Sequence, residues 1–233
     1  MVNLLNEILK TKKLLVFDFD GVVFDSEIYH YYSHKATLDN FGIGSIFTID
    51  VYKMFCIGNT TYNIMKSEVL RAYHLGIIEI EQFELLDSES NIESMCKFKE
   101  DYFLKYVMDG IIPENMFILD LLKSLNRSVP VVILSASPKS IIEYLLSKGN
   151  YPDLFDSIIS TSDNKSSKEF ELLNLLNQYN ANGNEVCFFE DNEENLKVGK
   201  SLGIFSIGVE HDVNVNKLMS YDILIKGSEF FEK

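Results

Sequence analysis

The sequence predicts an α/β protein: a parallel sheet flanked by helices, with an all-helical segment inserted early. Three observations predict it. Short apolar runs of strand length recur at 14–20, 129–134, 155–159, 186–189, 204–209 and 221–225, rich in β-branched and aromatic residues. From Gly110 onward, segments of helical period alternate with those runs, which implies right-handed crossovers between parallel strands. Between the first run and Gly110, the stretch 26–106 carries helical spacing and no convincing strand.

Taken in order, residues 1–11 read as a short lead-in helix and 14–20 as the first strand. Helices are expected at 26–40, 49–55, 60–75, 79–86 and 91–108, broken by Gly42-Ile43-Gly44-Ser45 and Ile57-Gly58-Asn59. An apolar helix covers 117–125. The strand at 129–134 tolerates Pro130 because it stands at the start. A helix follows at 140–148, stopped by Gly149. The helix 168–179 is amphipathic, with Leu172, Leu173, Leu175 and Leu176 expected inward. A last helix, 194–202, ends at Gly203.

Composition narrows the function. The chain has 233 residues, 46% of them apolar and 24% charged, which is an ordinary globular balance. Its net charge of −14 argues against a nucleic-acid backbone or an anionic membrane as partner. Cys56, Cys96 and Cys187 are widely spaced, so reduced thiols and a cytoplasmic setting are expected. The first eleven residues lack the apolar region of a signal peptide. No protein partner is implied. His30, His34, His74 and His211 show no ligand spacing and read as ordinary surface or partly buried residues.

The chemistry concentrates at strand ends. The first apolar run closes in Asp18, Asp20 and Gly21, and in extended chain Asp18 and Asp20 share a side. Two carboxylates that close repel unless a cation or a task explains them. Gly21 admits a backbone or ligand where a Cβ would block it. The runs at 131–134 and 186–189 close in Ser135 and in Glu190-Asp191, and Lys165 and Lys168 precede a helix between them. A parallel sheet puts these C-terminal ends on one edge. Dense carboxylates without nearby His or Cys favour Mg2+. With a lysine they can cradle a phosphoryl group, with one aspartate as nucleophile and another as acid and base.

Asp18-Phe19-Asp20-Gly21, Ser135, the lysine and Glu190-Asp191, in that order, resemble the four motifs of the haloacid dehalogenase superfamily. The resemblance runs from about Leu14 to Val209. It implies a Rossmann-like core at 1–24 and 108–233 with a helical cap of the C1 type at 25–107. By this resemblance Asp18 is the nucleophile and a metal ligand. Asp20 is the general acid and base and offers its carbonyl oxygen to the metal. Ser135 binds phosphate, and Glu190 and Asp191 are acidic metal ligands. Backbone at Gly21 and Ala136 would complete the phosphate site. Lys168, at the start of its helix, matches a Ser-Lys-x-Glu form of the third motif and is the favoured catalytic lysine, while Lys165 suits the Lys-Pro form by spacing. Asp25-Ser26-Glu27 resembles the hinge into the cap. Asn59 and Thr60 fall where relatives place a specificity loop, and Thr60 fits the plainer role of helix N-cap equally well.

The implied activity is Mg2+-dependent hydrolysis of a small phosphorylated metabolite: a sugar, polyol or nucleotide phosphate. A phosphomutase of the β-phosphoglucomutase kind shares the cap and the motifs and stays open. A dehalogenase is disfavoured because position 20 is acidic. An inactive phospho-ligand-binding protein is disfavoured because both aspartates are present.

Overall fold

The computed structural model describes residues 2–125, 129–151, 153–214 and 217–226. They fall into two compact units, Met1–Ser26 with Ile112–Lys233, and Glu27–Ile111.

The first unit opens with α1 (Val2–Leu9) and β1 (Leu14–Phe17). The second holds α2 (Glu27–Asn40), a 3-10 turn at Gly44–Ile46, α3 (Ile49–Phe55), α4 (Thr61–His74), α5 (Ile80–Leu86) and α6 (Glu89–Asp109). The chain returns to the first unit through α7 (Met116–Ser124), β2 (Val131–Ser135), α8 (Lys139–Lys148), β3 (Ser157–Ser160) and α9 (Thr161–Asn164). It closes with α10 (Lys168–Gln178), a 3-10 turn at Gly183–Glu185, β4 (Val186–Glu190), α11 (Glu193–Ser201), β5 (Phe205–Glu210) and β6 (Ile223–Lys226).

The six strands form one parallel sheet in the order β3-β2-β1-β4-β5-β6. Successive connections run one way from β1 to β3 and the other way from β4 to β6. The switch point therefore lies between β1 and β4, where such sheets bind ligands. On one face Leu14 and Val16 of β1, Val132 and Leu134 of β2, and Val186 and Phe188 of β4 pack against Leu172 and Leu175 of α10. Alternation sends Phe17 and Phe189 to the other face, where the register pairs them and their rings stack at 4.0 Å. Pro130 precedes β2 and still joins the ladder, its carbonyl accepting from Leu15 N–H at 2.9 Å.

Several expectations need correction. The first strand ends at Phe17, not at residue 20. After it the chain turns: the N–H groups of Val22, Val23 and Phe24 all converge on the carbonyl of Phe19. Asp18 and Asp20 therefore sit on a loop rather than on one side of a strand. Leu173 is exposed and Leu176 only partly buried, because β2 contacts a narrower stripe of α10. Phe155 lies outside β3, and the short helix α9 was not expected.

The second unit packs α2 against α6 and α4 against both α5 and α6. Its core includes Leu38, Phe47, Met65, Val69, Ile92, Met95 and Phe103. Gly110 stops α6 in the left-handed conformation that glycine adopts at least cost. Among the described residues no helix is long and apolar enough to cross a membrane.

Candidate active site

Four segments build the site. Asp18 comes first, because its N–H donates to the Phe189 carbonyl at 2.9 Å and extends the β1–β4 ladder by one residue. Glu190 ends β4, and Asp191 follows it on the way into α11. One carboxylate oxygen from each of Asp18, Glu190 and Asp191 lies within 4.8 Å of the others, and all three residues are buried.

Lys168 is the first residue of α10, whose N-terminus is capped by Ser167 accepting from Phe170 N–H. A cation is disfavoured there by the helix dipole. Two anions offset that: Nζ lies 2.7 Å from Asp18 Oδ2 and 2.8 Å from Glu190 Oε2, with the lysine side chain only 10% exposed. Burial alone would pull the ammonium down, but Asp18 and Glu190 override it and hold its proton affinity above the ordinary lysine range. Burial pushes Asp18 well above the usual carboxylate range, and Glu190 adds to the push while Lys168 opposes it. Burial likewise raises Glu190, against Lys168. The other oxygen of Glu190 accepts from the N–H groups of Asp191 and Asn192 at 3.2 and 3.0 Å.

Asp20 is not one of that trio, but its charge adds to the upward push on Asp18. Its Oδ1 accepts from the Ser26 hydroxyl at 2.5 Å, and its Oδ2 accepts from the Ser137 hydroxyl at 2.5 Å and the Ser135 hydroxyl at 3.5 Å. Ser135 Oγ also accepts from Ser137 N–H at 3.1 Å. Gly21 closes the turn at φ +72°, and a Cβ there would stand 2.3 Å from Asp191 Oδ2 and 3.0 Å from His211 Nε2.

Three buried carboxylates facing one ammonium leave excess negative charge in a poorly solvated place. An all-oxygen set of that kind fits a hard divalent cation such as Mg2+, with Asp18, Glu190 and Asp191 as the residues able to hold it.

The family model for haloacid dehalogenase-like hydrolases matches residues 15–209 of this chain. The chain belongs to the haloacid dehalogenase-like hydrolase family. Among curated proteins it is 24% identical over 200 residues to an uncharacterised protein of Haemophilus influenzae, covering 85% of this chain and 91% of that one. It is 22% identical over 198 residues to the fructose-1-phosphate phosphatase YqaB of Escherichia coli, covering 84% and 95%. Solved folds agree. A mutant of CbbY from Rhodobacter sphaeroides, crystallised with xylulose-(1,5)bisphosphate, superposes with a TM-score of 0.70 at 16% identity over 92% of this chain and 93% of that one. The β-phosphoglucomutase of Clostridium difficile superposes at 0.66 with 21% identity over 92% and 91%.

Within this family member, Asp18, Asp20, Ser135, Lys168, Glu190 and Asp191 all gather at the C-terminal edge of the sheet, with Gly21 against Asp191 and Ala136 between two of the serines around Asp20. Lys165 is exposed in a left-handed conformation at the end of α9. Asn59 and Thr60 belong to the helical unit. Thr60 caps α4, its side chain accepting from Asn63 N–H, and Asn59 donates to the Phe55 carbonyl.

Three residues at the site escaped the sequence reading. Ser26 and Ser137 hold Asp20. His211, read as an ordinary histidine, is instead 1% exposed with Nε2 2.9 Å from Asp191 Oδ2. Its position just after a strand was the one available signal, since in this sheet strand ends carry the chemistry.

Proposed function

We propose that the protein is a cytoplasmic, Mg2+-dependent phosphomonoester hydrolase that acts on a small phosphorylated metabolite through a phosphoryl group carried on Asp18. One observation carries the reading: a buried trio of carboxylates with Lys168 on two of them, and a second, hydroxyl-held aspartate two residues from the first. The acidic residue at position 20 supports hydrolysis of an ester, whose leaving oxygen needs a proton. The similarity to YqaB makes phosphorylated sugars the first substrates to test. Free Cys56, Cys96 and Cys187 support the compartment.

The steps follow from these side chains. An Asp18 carboxylate oxygen attacks phosphorus, and the bond from phosphorus to the ester oxygen breaks. Asp20 gives its proton to the departing oxygen. Lys168 offsets negative charge between Asp18 and the phosphoryl oxygens, and the Ser135 hydroxyl and the backbone at Ala136 orient that group; the Gly21 N–H, expected to help, is instead taken by the Phe24 carbonyl at 2.7 Å. Asp20, now ionised, takes a proton from water; the water oxygen attacks phosphorus and restores the Asp18 carboxylate as phosphate leaves. A bound Mg2+ supplies charge neutralisation of the phosphoryl oxygens.

The test is phosphate release from a panel of sugar, polyol and nucleotide monophosphates, with Mg2+ and with EDTA. Release is expected with Mg2+ and lost in EDTA. Asp18→Asn is expected to abolish release while its circular dichroism stays that of the parent. Activity of the parent kind in Asp18→Asn rules out the covalent route. Isomerisation of a substrate without free phosphate marks a phosphomutase.

A further inference from the structure

His211 takes no part in the steps above, yet one side-chain contact ties it to the site and two more hold it within its own loop. Its Nε2 lies 2.9 Å from Asp191 Oδ2. Its Nδ1 accepts from Val213 N–H at 3.3 Å, which puts the ring proton on Nε2 and makes the imidazole a donor to the carboxylate. Its own N–H donates to Asn214 Oδ1 at 2.8 Å. Asn214 in turn donates through Nδ2 to the Asp191 carbonyl at 2.7 Å and to the Val209 carbonyl at 3.1 Å. The backbone and the carboxylate of Asp191 are thus both gripped from the loop after β5, and His211, Val213 and Asn214 are buried.

We propose that His211 is a positioning residue for the cation site, fixing the rotation of the Asp191 carboxylate so that it converges with Asp18 and Glu190 on one Mg2+ ion. The proposal rests on the Mg2+ reading of that cluster. Its physical basis is repulsion. Three buried carboxylates that share a site push one another apart before a cation arrives, and Asp191 is the one at the start of the loop into α11. A fixed N–H on Oδ2 resists that rotation. A neutral imidazole does so without adding a positive charge that would compete with the ion. The absence of a side chain at Gly21 leaves room for the pair, since a Cβ there would meet both partners. Groups that orient a metal ligand from behind set affinity for the metal more than they set the fold.

The experiment is calorimetric titration of the substrate-free, full-length protein with MgCl2, which needs no turnover. His211→Asn keeps an acceptor for Val213 N–H but cannot reach Asp191. Its Kd for Mg2+ is expected to rise about 10- to 100-fold. His211→Gln places an amide N–H near the position of Nε2 and is expected to bind within about threefold of the parent. Val213→Ala, which trims the same loop but keeps every one of these hydrogen bonds, is expected to lower thermal stability and leave the Kd unchanged. A folded His211→Asn with the parent's Kd overturns the proposal, and so does a His211→Gln as weak as His211→Asn. If His211→Asn does not fold, His211→Phe, which keeps a buried ring and removes both nitrogens, is titrated in its place: weaker Mg2+ binding supports the proposal and an unchanged Kd overturns it. A parent protein that takes up no Mg2+ at all removes the cation reading and this proposal together. Parent binding that is insensitive to His211 removes only the proposal.

Discussion

Gly21 is where a single atom has the largest consequence. Its φ of +72° already disfavours any side chain, and a methyl group would enter within 2.3 Å of Asp191 Oδ2. Gly21→Ala is therefore expected to cost about 1–3 kcal/mol of stability from backbone strain. Displacing a carboxylate of the site by a fraction of an ångström is expected to lower phosphatase activity about 100-fold. Urea unfolding and phosphate release measured side by side check both; an alanine variant with parental activity would show that the close approach is not required. The glycine was legible in the sequence as a point of close approach, but its neighbour was not. Asp191 lies far along the chain, and only the pairing of β1 with β4 makes the two meet.

At the scale of the element, α2 carries a different kind of constraint. His34 is buried on it. Its Nδ1 donates to the His30 carbonyl at 2.7 Å, and among the described residues its Nε2 has no hydrogen-bond partner. Burial lowers its proton affinity well below the ordinary histidine range, with Lys99 adding to the effect. The sign follows directly. The unfolded chain takes up a proton near pH 6.5, and the folded unit does so only at lower pH. The histidine's contribution to stability is whole above that range and is lost as pH falls toward the folded value. The melting temperature of the parent is expected to drop more between pH 7 and pH 5 than that of His34→Gln; equal drops would refute the assignment. The helices of this unit were readable from apolar spacing, and their observed bounds, such as Ile49–Phe55, fall close to the expected ones. The burial of His34 was not readable, because the face of α2 that is buried carries Ser33, His34, Thr37 and Leu38, and no apolar stripe marks it in the sequence.

For the molecule as a whole, the sheet core is what delivers the chemistry to one edge. Phe188 is fully buried between β1 and the helices on that face, two residues before Glu190. Phe188→Ala is expected to destabilise the protein by about 3–5 kcal/mol through lost burial and the cavity left behind. Denaturant titration measures it, and a loss below about 1 kcal/mol would mean the core can collapse around the gap. By itself the sequence determined the class of fold, the strands that hold the motifs and the residue types at their ends. Those follow from local patterns: an apolar run must be buried, and a carboxylate or glycine at its end marks where burial stops. The order of the strands, the seat of Lys168 on both Asp18 and Glu190, the serines on Asp20 and the grip of His211 on Asp191 were decided only by tertiary structure. Each joins residues from separate segments or from turns whose path the local pattern leaves open. Their energies depend on distance and burial, which exist only once the sheet has brought β1, β2, β4 and β5 side by side.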